Sequence, residues 1–152
     1  MNIVVDTNIV FSAILNTQGK IGQILISGSN HFEFYSIGLL KDELKNHHQK
    51  ILKISGYSTT QYEEIFQTII HKIHFIDDIF ISDKSLESAW DLTKDVDEND
   101  TLFVALANEM NSYLWTGDRK LISGLSAKGY KKLITTENLY KLFLKNEHKR
   151  RM

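Results

Sequence analysis

The sequence begins with a short run of strand-forming apolar residues that ends abruptly at an acid, and this junction constrains the fold most strongly. Residues 2–6 read NIVVD, and a helix-like apolar pattern follows at residues 9–15. A strand that is apolar on both faces is typical of a parallel sheet covered by helices on both sides. A carboxylate at the end of a buried strand is costly unless something pairs with it. Asp6 is therefore the first candidate functional residue.

Strand-like and helix-like segments alternate along the rest of the chain. Further strands are predicted at FEFYS, HFI, SYLWT and KKLITT, and helices are predicted between them, including one continuous helix over residues 38–55. This alternation requires crossover connections, which are right-handed in parallel sheets. The sequence therefore predicts a three-layer α/β/α fold with a central, mainly parallel sheet of about five strands. We assign residues 1–144 to one domain and residues 145–152 to a basic C-terminal tail.

The composition limits the chemistry that the chain can support. Its 152 residues are the size of one domain, and 24% of them are charged, which is ordinary for a globular protein. The absence of cysteine excludes disulfides and thiolate metal sites. No stretch approaches 18 consecutive apolar residues, and no secretory signal is recognisable. We therefore expect a cytoplasmic protein that does not engage a membrane.

Basic residues are unevenly distributed, although the formal net charge is only −1. They collect at residues 41–53, at residues 128–132 and in the tail KNEHKRRM. Solvated helix faces explain many clusters of this kind. Nucleic-acid binding, however, depends on where the cations lie rather than on their sum, so the net charge does not exclude a nucleic-acid partner.

Three further acids are predicted to lie at the same edge of the sheet as Asp6. Asp118 follows the strand SYLWT by one glycine, Asp100 opens the apolar helix DTLFVALA, and Glu43 lies in the helix after FEFYS. The carboxyl ends of parallel strands share one edge, where ligands bind in open α/β sheets. Carboxylates gathered there repel one another unless a cation is bound, and Mg²⁺ prefers such oxygen ligands. The pattern therefore indicates metal-assisted phosphate chemistry.

Four segments resemble the acidic motifs of PIN domains, in the expected order and over nearly the whole chain. They read VVDTNIVFSAIL, LLKDELKN, DENDTLFVALANE and YLWTGDRKLI. The group that they look most similar to is the bacterial PIN-domain toxins of toxin-antitoxin pairs. The resemblance implies a PIN-like fold and a ribonuclease that uses Mg²⁺ or Mn²⁺. It implies catalytic and metal-binding roles for Asp6, Glu43, Asp100 and Asp118.

The resemblance also implies supporting residues and partners. Thr7, Asn8 and Thr116 match polar positions that support the acids in the family. Asp97 precedes Asp100 by one helical turn, and either residue could supply the third acid; alternatively, Asp97 could cap the helix that Asp100 opens. The implied partners are RNA as substrate, a cognate antitoxin that covers the acidic cleft, and a second copy of the chain in a homodimer.

Other interpretations of the same residues remain open at the level of sequence. Asp6 and Asp118 are also typical capping or turn residues, and Asp42 stands beside Glu43 as another acid on the same helix. His71 and His74, three residues apart, could ligate zinc if they faced a cavity, although surface positions are the commoner outcome.

Two other classes of function also place an acid at the end of the first strand. A non-catalytic RNA-binding or regulatory module on the same fold would be favoured by a neutral residue in place of one acid, yet all four are present. An aspartyl-phosphate phosphatase needs a second acid two residues after the first, where this chain has Asn8. A receiver domain would need paired acids near the start and a late lysine after a strand, and TGDRK does not match that pattern convincingly. We therefore predict a metal-dependent endoribonuclease that hydrolyses RNA phosphodiester bonds as the toxin of a toxin-antitoxin pair.

Overall fold

A single five-stranded sheet organises the chain, and the computed structural model describes every residue from Met1 to Met152. The strands are Asn2–Val5 (β1), Glu33–Ile37 (β2), Ile73–Ile76 (β3), Tyr113–Trp115 (β4) and Leu133–Ile134 (β5). Their order across the sheet is β3-β2-β1-β4-β5, and every neighbouring pair is parallel. The predicted central parallel sheet is confirmed.

Nine α-helices cover the two faces of this sheet. They are α1 (Thr7–Leu15), α2 (Lys20–Ser27), α3 (Leu39–Asn46), α4 (His48–Ser55), α5 (Thr59–Ile70), α6 (Asp83–Thr93), α7 (Thr101–Met110), α8 (Arg119–Ala127) and α9 (Thr136–Arg151). One layer is built around α1, which packs against α2 to α5, while α9 packs on α2. The other layer holds α6, α7 and α8, with α7 lying on β1, β2 and β4. The three-layer α/β/α prediction is therefore also confirmed.

The segment predicted as one helix over residues 38–55 forms two helices, so that prediction was wrong. His47 leaves the helical conformation, with φ −98° and ψ 7°, and its N–H donates to the carbonyls of Glu43 and Leu44. No glycine or proline marks the break, and apolar residues continue on both sides of it. The turn at His47 therefore has no signal in the residue pattern.

The central strand β1 carries the strongest apolar signal and lies at the centre of the core. Ile3, Val4 and Val5 are completely buried because helices cover both faces and strands flank both sides. Val5 is level with Trp115 of β4. The next residue of each strand, Asp6 and Thr116, therefore lies at the same carboxyl edge of the sheet.

The last helix carries the basic C-terminal residues to the opposite edge. α9 begins just after β5 and runs for 16 residues, and near its end Glu147 pairs with Nε2 of His31 at 2.9 Å. His31 lies just before β2, which begins at Glu33. The basic residues 145–151 therefore lie near the amino edge of the sheet, away from Asp6.

No single helix is long and apolar enough to span a membrane. Only the bent pair of Thr7–Leu15 and Lys20–Asn30, with an angle of 103° between its halves, has a suitable length and composition when the two are taken together.

Candidate functional site

Asp6 is a buried carboxylate at the junction between β1 and α1. Its side chain is 3% exposed, and Oδ1 accepts a hydrogen bond from the backbone N–H of Ile9 at 2.9 Å. Burial raises the pKa of Asp6 to about 6, although the Ile9 N–H and the Thr116 hydroxyl partly offset this effect. Asp118 and Glu43 repel its negative charge and also raise the pKa. The carboxylate is thus held in place but is costly to ionise.

Three more acids, Asp97, Asp100 and Asp118, form a half-buried cluster. One oxygen from each lies within 4.8 Å of the others. Asp97 and Asp100 were alternatives at the level of sequence, and the structure brings both to the same place. Their spacing of three residues was the signal for this, because a helical turn returns position i+3 to the same side.

The helix and turn caps in this cluster use only one oxygen of each carboxylate. Oδ1 of Asp118 accepts from the backbone N–H groups of Lys120 and Leu121 at 2.9 and 3.2 Å, which begins α8. Oδ1 of Asp97 accepts from the N–H of Asn99 at 3.0 Å and caps a short 3₁₀ turn rather than α7. Because each carboxylate has two oxygens, capping leaves Oδ2 of both residues free of these bonds. The capping interpretation therefore does not compete with a ligand role.

Asp100 is the acid of the group whose surroundings most disfavour the ionised form. Burial raises the pKa of Asp100 to about 7, and the charges of Asp97, Asp6, Asp118 and Glu43 contribute in that order. Its Oδ2 is buried and has no hydrogen-bond partner. A buried acceptor without a partner costs roughly 1–3 kcal/mol. The fold keeps this oxygen buried although no group of the chain donates a hydrogen bond to it.

The loop that carries Asp97 and Asp100 is held on both sides. The hydroxyls of Thr93 and Thr101, which flank the loop, lie 2.6 Å apart. On the other side, α8 comes so close that a Cβ on Gly124 would lie 2.7 Å from Cγ2 of Val96, next to Asp97. These contacts, together with the cap at Asp97, hold the loop in place.

Glu43 reaches the site from α3 and is held by Thr7. The hydroxyl of Thr7 donates to Oε1 of Glu43 at 2.8 Å, which joins the start of α1 to α3. The neighbouring Asp42 is exposed and borders a groove at the carboxyl ends of β2 and β3 instead. The structure therefore distinguishes the two adjacent acids of α3 by their neighbours.

The other polar residues singled out in the sequence differ in their surroundings. Thr116 is fully buried, and its Oγ1 accepts a hydrogen bond from the backbone N–H of Asp118 at 3.1 Å. Asn8 is exposed and makes no side-chain hydrogen bond. Ser36, which sequence reasoning missed, is fully buried and donates to the carbonyl of Val5 at 2.9 Å. Nothing in the segment FEFYS indicates that its serine forms a hydrogen bond with the end of β1.

The two histidines considered as zinc ligands lie outside the acidic site. His71 is exposed, and its Nδ1 pairs with the carbonyl of Gln67 at 2.7 Å. His74 is exposed on β3 beside Glu33, at 3.5 Å. Neither histidine belongs to a group of side chains that could hold a metal ion.

The acidic residues fit a divalent cation. The cluster offers hard oxygen ligands at short mutual distances, and the unpartnered Oδ2 of Asp100 is a buried acceptor that a cation would satisfy. Mg²⁺ and Mn²⁺ favour such carboxylate sites, in which water completes the coordination. The donor set contains no sulfur or imidazole, which makes it unsuited to structural zinc.

Comparisons with known proteins agree with the fold of the chain. The family model described as PIN domain matches residues 4–142. A chain in the crystal structure of VapBC2 from Rickettsia felis, bound to a DNA fragment from their promoter, is 20% identical, with a TM-score of 0.60 over 89% of this chain and 97% of that chain. PAE2754 from Pyrobaculum aerophilum is 14% identical, with a TM-score of 0.65 over 95% of this chain and 90% of that chain. At these identities the similarity is one of fold. No curated protein matches the sequence significantly.

Proposed function

The chain belongs to the PIN-domain family, and from this and the acidic site we propose that it is a metal-dependent endoribonuclease. PIN domains are generally nucleases. The observation that carries the proposal is the cluster of Asp97, Asp100 and Asp118 with its unpartnered buried oxygen. Such a site is unfavourable by itself and becomes favourable when a cation is bound.

The proposal assigns distinct tasks to the residues around the cluster. Asp97, Asp100, Asp118 and the neighbouring Asp6 would hold the cation through their oxygens. Three of the four, Asp6, Asp97 and Asp118, are pre-oriented by backbone N–H groups. Bound Mg²⁺ or Mn²⁺ would lower the pKa of a water molecule and polarise a phosphoryl oxygen. Thr7 holds one oxygen of Glu43, which leaves the other to orient the attacking water or to bind a second ion.

We further propose that the chain is the toxin of a toxin-antitoxin pair. The structural relative from Rickettsia felis is described as VapBC2 bound to promoter DNA, and the motifs of this chain resemble those of PIN-domain toxins. An unregulated ribonuclease damages its own cell, so a cognate antitoxin would have to cover the acidic cleft. A homodimer is part of the same proposal.

The nuclease activity is tested with a circular single-stranded RNA, which has no ends and reports internal cleavage only. The wild type should linearise it in Mn²⁺ or Mg²⁺ and lose this activity in EDTA. Asp100→Asn, purified by the same procedure, should be inactive, whereas Asp91→Asn, an exposed acid on α6, should cleave as the wild type does. Cleavage that survives both EDTA and Asp100→Asn would overturn the proposed mechanism.

The toxin proposal is tested separately, by measuring the growth of cells that express the protein. Induced expression of the wild type should arrest growth, and Asp100→Asn should remove this effect. Co-expression of the protein encoded next to this gene should restore growth and yield a stable complex. If that protein neither binds the chain nor restores growth, the chain is a nuclease without an adjacent antitoxin. RNA binding without any cleavage would instead support the alternative of a non-catalytic RNA-binding module.

A further inference from the structure

A pocket of about 320 Å³ lies between α3, α4 and α5. It opens on the helix that carries Glu43, because Lys41 and Lys45 of α3 form one of its walls. Asp42 borders both this pocket and the groove at the carboxyl ends of β2 and β3. The pocket therefore adjoins the edge of the sheet at which Asp6 lies.

Three aromatic rings line the pocket: Tyr62 and Phe66 are stacked, whereas the plane of His48 is inclined by 38° to that of Tyr62. The ring centroids of His48 and Tyr62 are 4.5 Å apart, and those of Tyr62 and Phe66 are 5.7 Å apart with the planes inclined by 20°. Tyr62 is buried, whereas His48 and Phe66 are half-buried and border the open space. Stacking on aromatic side chains is the usual way in which proteins hold the bases of single strands.

The polar groups of the pocket complement the rest of a nucleotide. Lys45 is exposed and has no acidic partner within 4 Å, and the ammonium of Lys41 lies 4.2 Å from the centroid of the Phe75 ring. Lys45 is therefore free to contact phosphate, and Lys41, which lies over the Phe75 ring, has no acid that competes for its charge. Nε2 of His48 is buried without a partner. Oε1 of Glu63 accepts from Gln67 at 2.9 Å, which leaves its other oxygen for the amino group of a base.

We propose that this pocket binds one nucleotide of a single-stranded RNA, with its base against the half-buried rings of His48 and Phe66 and its phosphate on Lys41 and Lys45. This rests on the proposed function, because it makes the pocket a substrate subsite on the helix that also carries Glu43. The two lysines and the aromatic wall match the two halves of a nucleotide. A purely apolar peptide would leave both cations and Nε2 of His48 unpaired.

Binding is measured first without cleavage. Fluorescein-labelled oligoadenylate and oligouridylate of eight residues are titrated in EDTA, and fluorescence anisotropy gives the Kd as a function of salt. Lys45→Gln should weaken binding and lower the salt slope by about 0.7, the value for one phosphate contact on a single strand. Phe66→Leu keeps apolar volume but removes the stacking face, and should weaken binding roughly 5–100-fold.

Matched variants outside the pocket control for charge and for aromatic loss. Lys131→Gln removes an exposed cation elsewhere, and Phe80→Leu removes an aromatic side chain that is 71% exposed. Both should bind RNA as the wild type does. Phe66 is packed against the core, so its variant is accepted only if its melting temperature is near that of the wild type. Lys45→Gln, an exposed change, tests the proposal in either case.

Cleavage in Mn²⁺ then separates this inference from the proposed function. The pocket variants should raise KM while kcat changes little. If they bind and cleave as the wild type does, the pocket is not a subsite, and the proposed nuclease function still stands. If RNA binding in EDTA depends on Lys45 and Phe66 but no metal supports cleavage, the nuclease proposal fails and the subsite stands.

Discussion

Replacing Asp100 by asparagine should stabilise the metal-free protein while it abolishes the proposed activity. Asp100 is half-buried near four other acids, and its Oδ2 has no hydrogen-bond partner. Asparagine has nearly the same shape and carries no charge. Its amide can also donate to Asp97 or Asp118, whose nearest oxygens lie within 4.8 Å.

The size of this effect follows from the raised pKa. The pKa of Asp100 is raised from 3.8 to about 7, first by burial and then by Asp97. At about 1.4 kcal/mol per unit of pKa, ionising it in the folded state at pH 8 costs at most roughly 4 kcal/mol. Because the side chain is partly exposed, solvent screening reduces this to about 2 kcal/mol. For a chain of this size, that corresponds to a rise in Tm of roughly 4–8 °C.

The stability gained by Asp100→Asn should depend on pH. Below about pH 4, Asp100 is neutral in both states and the variant gains nothing from the lost charge. Between pH 4 and 7 the unfolded state ionises while the folded state keeps its proton, so the wild type loses stability as the pH rises. Above pH 7 both states are ionised, and the advantage of the variant is constant.

The assay is thermal unfolding in EDTA, followed by circular dichroism from pH 4 to pH 8. Asp91→Asn is the matched control, because that side chain is 74% exposed. Its free energy of unfolding should change by less than about 0.5 kcal/mol. A lower Tm for Asp100→Asn at pH 8 would refute the reasoning. A gain of equal size at pH 4 and pH 8 would refute it too, because charge would then not be its cause.

Four further perturbations test other parts of the site. Mn²⁺ at about 100 times its Kd should stabilise the wild type by roughly 2.7 kcal/mol in the same melting assay. This stabilisation should fade below pH 6, because Asp6 and Asp100 then bind protons. Mn²⁺ should stabilise Asp97→Asn and Asp118→Asn far less. Thr7→Val removes the 2.8 Å bond to Glu43, so it should lower kcat at a stability cost of about 1 kcal/mol; an unchanged kcat would show that Glu43 needs no such support. Gly124→Ala places a Cβ 2.7 Å from Cγ2 of Val96, so it should weaken the Mn²⁺ response without altering any acid, and an intact response would show that the loop adapts. Truncation after Asn146 removes residues near the amino edge of the sheet, so KM and the salt dependence of RNA binding should stay the same; a flatter salt slope would show that the C-terminal end of α9 contacts RNA.

The elements that could be predicted from the sequence are those whose signals are local. The apolar run before Asp6 predicted a buried parallel strand, and β1 is fully buried from Ile3 to Val5. Ser58 and Gln61, three residues apart, have the spacing of a capping box in the sequence and form one at the start of α5. Both features depend on neighbouring residues alone, so the sequence contains all the information that they need.

The parts that could not be predicted depend on contacts between distant segments. The break at His47 is not marked by any helix-breaking residue. The course of α9 toward the amino edge of the sheet depends on its packing against α2 and on the pair of Glu147 with His31. The aromatic pocket joins α4 to α5, and each ring taken alone is an ordinary core residue. Tertiary packing, rather than residue preference, decides all three.

The central position of β1 also determines when the acidic site can form during translation. β1 is the first strand to be synthesised, yet one of its two neighbours in the sheet is β4, and Ile3 pairs with Tyr113. Pairings between segments so far apart in sequence are slow to form, because a long loop must close first. At 5–20 residues per second, the ribosome needs roughly 5–20 s to proceed from β1 to β4. A growing chain therefore carries Asp6 and Glu43 without Asp118, so the proposed metal site stays incomplete until β4 and the residues after it have been synthesised.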